Sequence, residues 1–264
     1  MCYRESGTDH EVSLKYTYNK KNLITRLDEN VNGNTRSTVY TYDGSNRVAT
    51  IRKGSSRVTY TYDNFSRVTG MVTTHVKTDS SADILREHFT YHNPKAGHTS
   101  SLVATYRTEG DGNYDVTYSY TYDNNGNILT VSDGTNTTSY VYDSANQLIR
   151  ENNQAGGFTH VWTYDDAGNI TSRTEYAYTT GSLGTPTDTV TYTYGNNNWG
   201  DLLTAYDGQT ISHDNIGNPL SDGTWTYTWK HGRQLATMSD GTTTWSYTYN
   251  ADGLRTKRTN GTCT

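Results

Sequence analysis

Hydrophobic and polar residues alternate along most of this chain, and a recurring phrase interrupts the alternation. An aromatic residue, a variable residue and a second aromatic residue are followed by Asp or Asn and then by turn-forming residues. Two side chains that are two positions apart project from the same face of a β-strand, and the residue between them projects from the other face. The pattern therefore predicts strands with aromatic side chains on one face and mostly Thr or Ser on the other.

Eleven copies of the phrase can be counted. The five closest copies comprise Tyr40, Tyr42 and Asp43; Tyr60, Tyr62 and Asp63; Tyr120, Tyr122 and Asp123; Tyr140, Tyr142 and Asp143; and Trp162, Tyr164 and Asp165. The looser copies centre on Tyr18, Tyr91, Tyr194, His213, Trp229 and Tyr249. A spacing of about 23 residues is typical of repeat architectures. We expect residues 1–264 to form one array, with about eleven hairpin repeats between residues 12 and 258.

Each phrase ends in residues that favour a tight turn. An Asp side chain can accept hydrogen bonds from backbone N–H groups ahead of it and so begin a turn. Three residues later, Gly126 and Gly168 supply a positive φ at low cost. Asn46, Ser66 and Asn146 occupy the same place in other copies. Because an isolated hairpin is only marginally stable, we expect neighbouring hairpins to pair into one continuous antiparallel sheet.

The composition fits a sheet without a thick core. Hydrophobic residues make up 31% of the chain and the mean hydropathy is −0.87, whereas aromatic residues reach 12% and include 24 Tyr. The aromatic content argues against disorder. Each buried Tyr ring removes apolar area from water, and its hydroxyl then needs a hydrogen-bond partner.

Charge and hydropathy exclude several classes of protein. The net charge of −5 and the pI of about 5.9 disfavour a general nucleic-acid surface. No apolar stretch approaches the ~20 residues of a membrane-spanning helix. Residues 1–5 lack the apolar region of a signal peptide. We therefore expect any export signal to lie outside this segment and interpret the chain as a fragment of a longer protein.

Three long intervals between copies mark irregular regions. They place extra residues near 73–87, 93–113 and 175–189. Residues 178–187 have the composition of a loop, and residues 80–88 are the only segment with helical spacing. Functional loops and simple variation in repeat length both remain open.

All five Trp residues lie in the C-terminal half. Trp162 and Trp229 occupy aromatic positions of the repeat and are interpreted as wall residues. Trp199, Trp225 and Trp245 are candidate ligand-binding residues, because an exposed aromatic face can stack on a sugar ring. Packing within the sheet is the alternative for each of the three.

The remaining reactive side chains predict no catalytic or metal site. His88 and His92 would share a strand face and His98 follows, but no Cys or acidic residue completes a recognisable ligand spacing. The periodic Asp residues are explained by turn capping, and no known catalytic motif is present. We expect no cofactor and no enzymatic activity. Cys2 and Cys263 are either two unpaired thiols or a disulfide between the chain ends.

The phrase resembles the YD repeat of the Rhs family. Residues 42–48 (Tyr-Asp-Gly-Ser-Asn-Arg-Val) and 122–128 (Tyr-Asp-Asn-Asn-Gly-Asn-Ile) carry the resemblance, which extends over about residues 12 to 258. The family includes bacterial polymorphic toxins, wall-associated proteins, shell subunits of insecticidal toxin complexes and the animal teneurins. The resemblance implies an all-β, strongly curved, spiralling sheet of antiparallel hairpins that forms part of a hollow cocoon.

The resemblance also implies a function. The chain would be a wall segment of a secreted or cell-surface bacterial shell, and its partners would be the remainder of the parent shell and a C-terminal toxin or effector cargo. The segment that closes such shells and cleaves itself has no counterpart before Thr264, so self-cleavage is assigned to no residue. The alternative is an adhesive module that binds glycans or a protein, or that associates with itself through open sheet edges.

Overall fold

A computed structural model describes residues 12–31, 33–77, 82–93, 98–112, 114–196 and 199–261. These residues form strands, turns and irregular connections, without a helix among them. They accordingly include no helix that is long and apolar enough to cross a membrane. Cys2 and Cys263 lie outside the described residues.

The chain divides into two compact units, and the first comprises residues 9–140 and 153–155. Its strands are β1 (Val12–Tyr18), β2 (Ile24–Val31), β3 (Asn34–Tyr42), β4 (Val48–Lys53), β5 (Ser56–Tyr62), β6 (Val68–Val76), β7 (Ala82–Tyr91), β8 (Val103–Gly110), β9 (Tyr114–Tyr122), β10 (Ile128–Ser132) and the start of β11 (Thr137–Tyr142). Each strand from β1 to β10 pairs antiparallel with the next.

The second unit includes residues 141–152 and 156–264. Its strands are β12 (Leu148–Asn153), β13 (Phe158–Tyr164), β14 (Ile170–Ala177), β15 (Asp188–Asn196), β16 (Trp199–Tyr206), β17 (Gln209–Thr210), β18 (Ser212–His213), β19 (Pro219–Ser221), β20 (Thr226–Lys230), β21 (Gln234–Ser239), β22 (Thr244–Tyr249) and β23 (Arg255–Thr259). Consecutive strands pair antiparallel from β13 to β17 and again from β18 to β23.

The predicted all-β class and antiparallel hairpin array are confirmed. Strands β1 to β17 belong to a 17-stranded sheet, and β18 to β23 belong to a six-stranded sheet. The expectation of one continuous sheet is therefore wrong at Ile211. Strands β17 and β18, on either side of it, have only two residues each, and Ile211 and His213 stand where closer copies have two aromatic residues.

One of the predicted irregular regions forms a strand, and another forms a loop. The helical spacing of residues 80–88 is misleading, because residues 82–88 belong to the ten-residue strand β7. Residues 178–187 are irregular, as predicted. Arg150 Nη2 holds this loop by donating to the carbonyl oxygens of Thr179 and Gly181 at 2.7 and 2.9 Å. The fully buried Thr159 hydroxyl donates to the Thr179 oxygen at 3.1 Å.

A β-bulge recurs beside the second aromatic residue of the repeat. In β3 and β4, Thr41 pairs with Thr50 and Tyr42 pairs with Val48, so Ala49 has no residue opposite it. Equivalent shifts follow Thr17, Thr61, Thr90, Thr163, Thr228 and Thr248. Each bulge increases the local twist and bends the strand. The sequence pattern did not predict these bulges.

Few hydrophobic side chains are buried in either unit, and most of the others are half-buried. Among the described residues, only two hydrophobic side chains, Val190 and Tyr247, are buried. The buried polar residues are Thr38, Thr108, Asn152, Thr159 and Asn218. Backbone pairing and side-chain hydrogen bonds must therefore supply stability that a thick core would otherwise give.

Candidate functional site

The second aromatic residue of the repeat ties its hairpin to the preceding one. The Tyr62 hydroxyl donates to the carbonyl oxygen of Val48 at 2.7 Å, and the Tyr122 hydroxyl donates to that of Val103 at 2.7 Å. The same contact joins Tyr42 to Ile24, Tyr91 to Val68, Tyr164 to Leu148 and Tyr249 to Leu235, and it joins Trp229 to Pro219 through the indole N–H. We call these contacts aromatic tethers.

The tethers meet the backbone where the bulges interrupt the ladder. The acceptor Val48 directly precedes the bulged Ala49, and Val68 directly precedes the bulged Thr69. A bulge disrupts backbone pairing, and a polar backbone group removed from water needs a partner. The aromatic residue therefore donates a hydrogen bond to the backbone at the position where the bulge interrupts the ladder.

Burial makes three of the tether hydroxyls harder to ionise. Removal from water raises the pKa of Tyr62, Tyr122 and Tyr164 above the ordinary value. An ordinary Tyr hydroxyl is already protonated at physiological pH, and these three hydroxyls therefore remain hydrogen-bond donors to a more alkaline pH.

The Asp that follows the tether residue organises the turn. Asp123 Oδ1 accepts hydrogen bonds from the backbone N–H groups of Asn125 and Asn127 at 2.9 and 2.8 Å. Its Oδ2 accepts from the Asn127 side-chain amide at 2.9 Å. Gly126 has a φ of 89° at the tightest point. Equivalent backbone contacts surround Asp43, Asp63, Asp143, Asp165 and Asp214.

These hydrogen bonds stabilise the charged form of the carboxylate. The Asn127 side-chain amide, followed by backbone N–H groups, lowers the pKa of Asp123. The Asn169 amide lowers the pKa of Asp165 in the same way. At Asp43 the backbone N–H of Arg47 contributes most to lowering the pKa. A carboxylate held in this way is suited to capping a turn, whereas a general acid needs a raised pKa.

Two repeats complete the turn with Arg in place of Asn. Arg47 Nε donates to Asp43 Oδ2 at 2.7 Å, and its guanidinium carbon lies 4.5 Å from the ring centre of Tyr62. Arg47 Nη1 also donates to the carbonyl oxygen of Asp63 at 3.0 Å. Arg67 lies 4.1 Å from the ring centre of Tyr91. The Arg side chain therefore joins its own turn to the next hairpin.

The aromatic rings of the first unit form a stacked row. The ring centres of Phe89 and Tyr106 are 5.1 Å apart, and those of Tyr106 and Tyr118 are 6.3 Å apart. Tyr106 donates to Glu87 Oε1 at 2.8 Å. A shallow hollow of about 460 Å³ lies beside this row. The row is an apolar surface with few groups that could perform chemistry.

The six-stranded sheet likewise places cations over three of its aromatic rings. Along β22, Arg258 lies 4.2 Å from the ring centre of Trp245, Arg255 lies 5.7 Å from that of Tyr247, and Lys230 lies 5.5 Å from that of Tyr249. Such contacts are worth ~0.5–1 kcal/mol each at exposed sites. Stacking of another ring on Trp245 would compete with Arg258.

The three candidate Trp residues lie on different elements. Trp199 begins β16, Trp225 precedes β20 and Trp245 lies in β22. Trp199 is 41% exposed, and its ring lies against Gly217, where a β-carbon would clash with it. A hollow of about 480 Å³ adjoins Trp199 and is also lined by His213, Asp214 and Asn215. Trp225 and Trp245 are half-buried.

The local group of His residues forms no metal centre in the described part of the chain. His88 Nε2 lies 3.7 Å from Glu109 Oε1, and the His92 ring lies 5.9 Å from the Tyr122 ring centre. No group of three or more His, Cys, Asp and Glu side chains that could hold a metal ion occurs among the described residues. The recurring chemistry of the chain is therefore turn capping and tethering.

The hairpin array can be compared with known proteins. No family model matches the chain, and no curated protein matches it. It is similar to the crystal structure of TcdB2-TccC3, with a TM-score of 0.53 and 12% identity over 92% of this chain and 16% of that chain. A Photorhabdus luminescens Tc holotoxin pore structure with a TccC3 mutation gives a TM-score of 0.45 and 13% identity over 97% of this chain and 17% of that chain.

The comparison with TcdB2-TccC3 shows a shared fold. The chain spans only about a sixth of the length of that structure's chain (16%). The fold defined here is an antiparallel hairpin array of the kind that occurs in TcdB2-TccC3.

Proposed function

We propose that this chain is a wall segment of a hollow, secreted or cell-surface shell that encloses a toxin or effector. The observation that carries the proposal is the match to TcdB2-TccC3 across 92% of the chain. The YD-like phrase supports it independently, because the Rhs family builds cocoon-like shells from such repeats. The partners would be the remainder of the parent shell and its cargo.

The chemistry of the repeat favours a structural role over a catalytic one. Both carboxylate oxygens of Asp123 accept hydrogen bonds within the turn, as do those of Asp165. Only two of the described hydrophobic side chains are buried, so sheet faces remain partly exposed and available to face an enclosed protein or solvent. Repeated bulges would bend such a sheet around a cavity.

Protease protection in the full-length parent protein tests this proposal. We expect the enclosed cargo to resist trypsin, and we expect a Tyr62→Phe, Tyr122→Phe and Tyr164→Phe triple variant to accelerate its cleavage. A Tyr40→Phe, Tyr60→Phe and Tyr120→Phe triple variant is the matched control, because the described structure has no hydrogen bond from any of these three hydroxyls. Cargo that is cut equally fast inside the unmodified parent and as an isolated domain would contradict the proposal.

The hollow beside Trp199 favours a second candidate function, saccharide binding. It combines a 41% exposed indole with the polar side chains of His213, Asp214 and Asn215. A Trp199→Phe variant should weaken a hit found on a glycan array, whereas Trp162→Phe should leave that hit unchanged. A glycan array without hits, together with unchanged Trp fluorescence on titration, would exclude this candidate.

A further inference from the structure

A trough crosses the Thr-bearing face of strands β3 to β6 in the first unit. Its volume is about 710 Å³, and its lining includes Arg52, Arg57, Val39, Val76, Thr50 and Thr74. We call it the arginine trough. We propose that it binds an extended acidic peptide whose carboxylates alternate with small apolar residues. This inference does not rest on the proposed shell function.

Two positive charges face each other across neighbouring strands in the trough. Arg52 and Arg57 are direct cross-strand partners in the β4–β5 register. Like charges directly opposite one another destabilise a sheet. Arg52 Nε donates only to the carbonyl oxygen of Gly54, at 3.3 Å. The Arg57 side chain has no hydrogen bond or ion pair within the described structure, so no described residue acts as a counterion of the pair.

Carboxylates are scarce among the described residues around the trough. The described residues of β3 to β6 that share its face include no Asp or Glu. On the neighbouring β2, Asp28 already accepts from Arg26 Nε at 2.7 Å and from the Ser37 hydroxyl at 2.5 Å. On the other side, Arg86 of β7 adds a further positive charge at 4.0 Å from Glu109.

Charge along the sequence points the same way. Residues 19–70 contain nine Lys and Arg against four Asp and Glu, in a chain whose net charge is −5. All four acids already form ion pairs with residues of this segment: Asp28 with Arg26, Asp43 with Arg47, Asp63 with Arg67 and Glu29 with Lys53. The trough arginines are therefore among the positive charges of this segment that have no carboxylate partner in the described structure.

The lining selects a peptide over other anions. Guanidinium groups bind carboxylates through two parallel hydrogen bonds. Val39 and Val76 also line the trough and are 37% and 46% exposed, so an occupant with apolar side chains would cover them. A small inorganic anion would leave most of the volume empty. Single-stranded nucleic acid needs aromatic stacking beside the positive groove, and the trough is lined by no aromatic side chain.

Fluorescence anisotropy with the whole chain tests the proposal. The probe is a labelled peptide of about twelve residues in which Glu alternates with Val or Thr, and its counterpart carries Gln in place of Glu. We expect Arg52→Gln with Arg57→Gln to weaken binding of the Glu peptide by about tenfold or more. Arg36→Gln with Lys53→Gln removes the same charge from the opposite face of the same hairpins, and we expect a change below about threefold.

A charge reversal separates binding from folding. Arg52→Glu would place opposite charges across the β4–β5 register and remove the like-charge pair. We expect this variant to unfold at an equal or higher temperature and still to lose binding of the Glu peptide. Equal affinity for the Glu and Gln peptides would overturn the proposal. So would undiminished binding by R52E, or tighter binding of an oligothymidylate of similar length or of inorganic phosphate.

Discussion

The turns of the first unit complete the same Asp cap in two ways. In the Arg turns, Arg47 and Arg67 pair with the carboxylates of Asp43 and Asp63 and then extend over the tether ring of the following hairpin. In the Asn turn, the Asn127 amide closes on Asp123 of its own turn. The Arg turns therefore stabilise the junction between hairpins as well as the turn.

The comparison separates two contributions that the repeat otherwise combines. The Asp cap folds each turn locally, whereas the tether and the Arg stack bind one hairpin to the next. In a repeat protein, stability is approximately a sum of repeat and interface contributions. Substitutions in the two kinds of turn should consequently differ in measurable ways.

Among single substitutions, the largest expected effect comes from removing the cap. Asp63→Ala deletes an acceptor of two backbone N–H groups and leaves Arg67 without its ion pair. Asp123→Ala deletes the equivalent backbone acceptor, but it leaves only the neutral side-chain amide of Asn127 without its acceptor. We expect both variants to melt several degrees lower by circular dichroism, with the greater loss for Asp63→Ala. Equal losses would mean that the Arg adds nothing to the cap.

A smaller effect should follow from pH. The pKa of Asp43, Asp123 and Asp165 is lowered in the folded chain. Their contribution to stability is therefore complete above the ordinary value of 3.8 and is lost as the pH falls through the lower folded value.

Urea unfolding between pH 7 and about pH 3 checks this expectation. Asp123→Asn with Asp165→Asn should flatten the acid part of the profile. The wild-type profile would contradict the account if its stability rose as the pH fell below the ordinary Asp range.

Loss of an Arg stack should have a moderate effect. Arg67→Asn removes the cation–π contact with Tyr91 and the hydrogen bond to the Ser100 carbonyl oxygen. We expect a loss of about 1–2 kcal/mol in the free energy of unfolding. Arg67→Lys is the control, since it keeps the positive charge but lacks the planar guanidinium group. We expect it to restore less than half of the lost free energy of unfolding. Full rescue by Lys would show that charge alone matters.

The smallest effect concerns the backbone of the turn. Ser66 adopts a φ of 65° in an Arg turn, whereas Gly126 occupies the same place in the Asn turn with a φ of 89°. We expect Ser66→Gly to raise the free energy of unfolding by about 0.5–1 kcal/mol and Gly126→Ser to lower it by a similar amount. A β-carbon at Gly126 would meet only Leu102, at 3.9 Å, so conformation decides the result. Opposite signs would contradict this explanation.

The sequence predicts the hairpins well because their determinants are local. Alternation sets the strand faces, and Asp with a positive-φ residue three positions later sets the turns. The bulges and tether acceptors were not predicted, because a bulge adds one residue whose partner lies on another strand. Residues 82–88 form a strand despite their helical spacing, because such spacing over a few residues cannot outweigh antiparallel pairing on both sides of β7.

The surroundings of the candidate residues depend on contacts between strands more than the hairpins do. An exposed Trp199 could be anticipated from its Gly- and Asn-rich surroundings, but the cation over Trp245 depends on Arg258, on the next strand. The arginine trough likewise depends on register: Arg52 and Arg57 are five residues apart in the chain and become partners only when the β4–β5 turn forms. A cross-strand register inferred from the turn could have revealed that pair.

The aromatic tethers should stabilise the junctions between hairpins, and one pair of triple variants tests this contribution most directly. Tyr42, Tyr62 and Tyr122 donate tethers, whereas the described structure has no hydrogen bond from the hydroxyls of Tyr40, Tyr60 and Tyr120. Both triple Tyr→Phe variants remove three hydroxyls from the same three repeats. Equilibrium unfolding in urea should show a loss of about 3 kcal/mol for the tether triple and less than about 1 kcal/mol for the control triple. Equal losses would contradict the account.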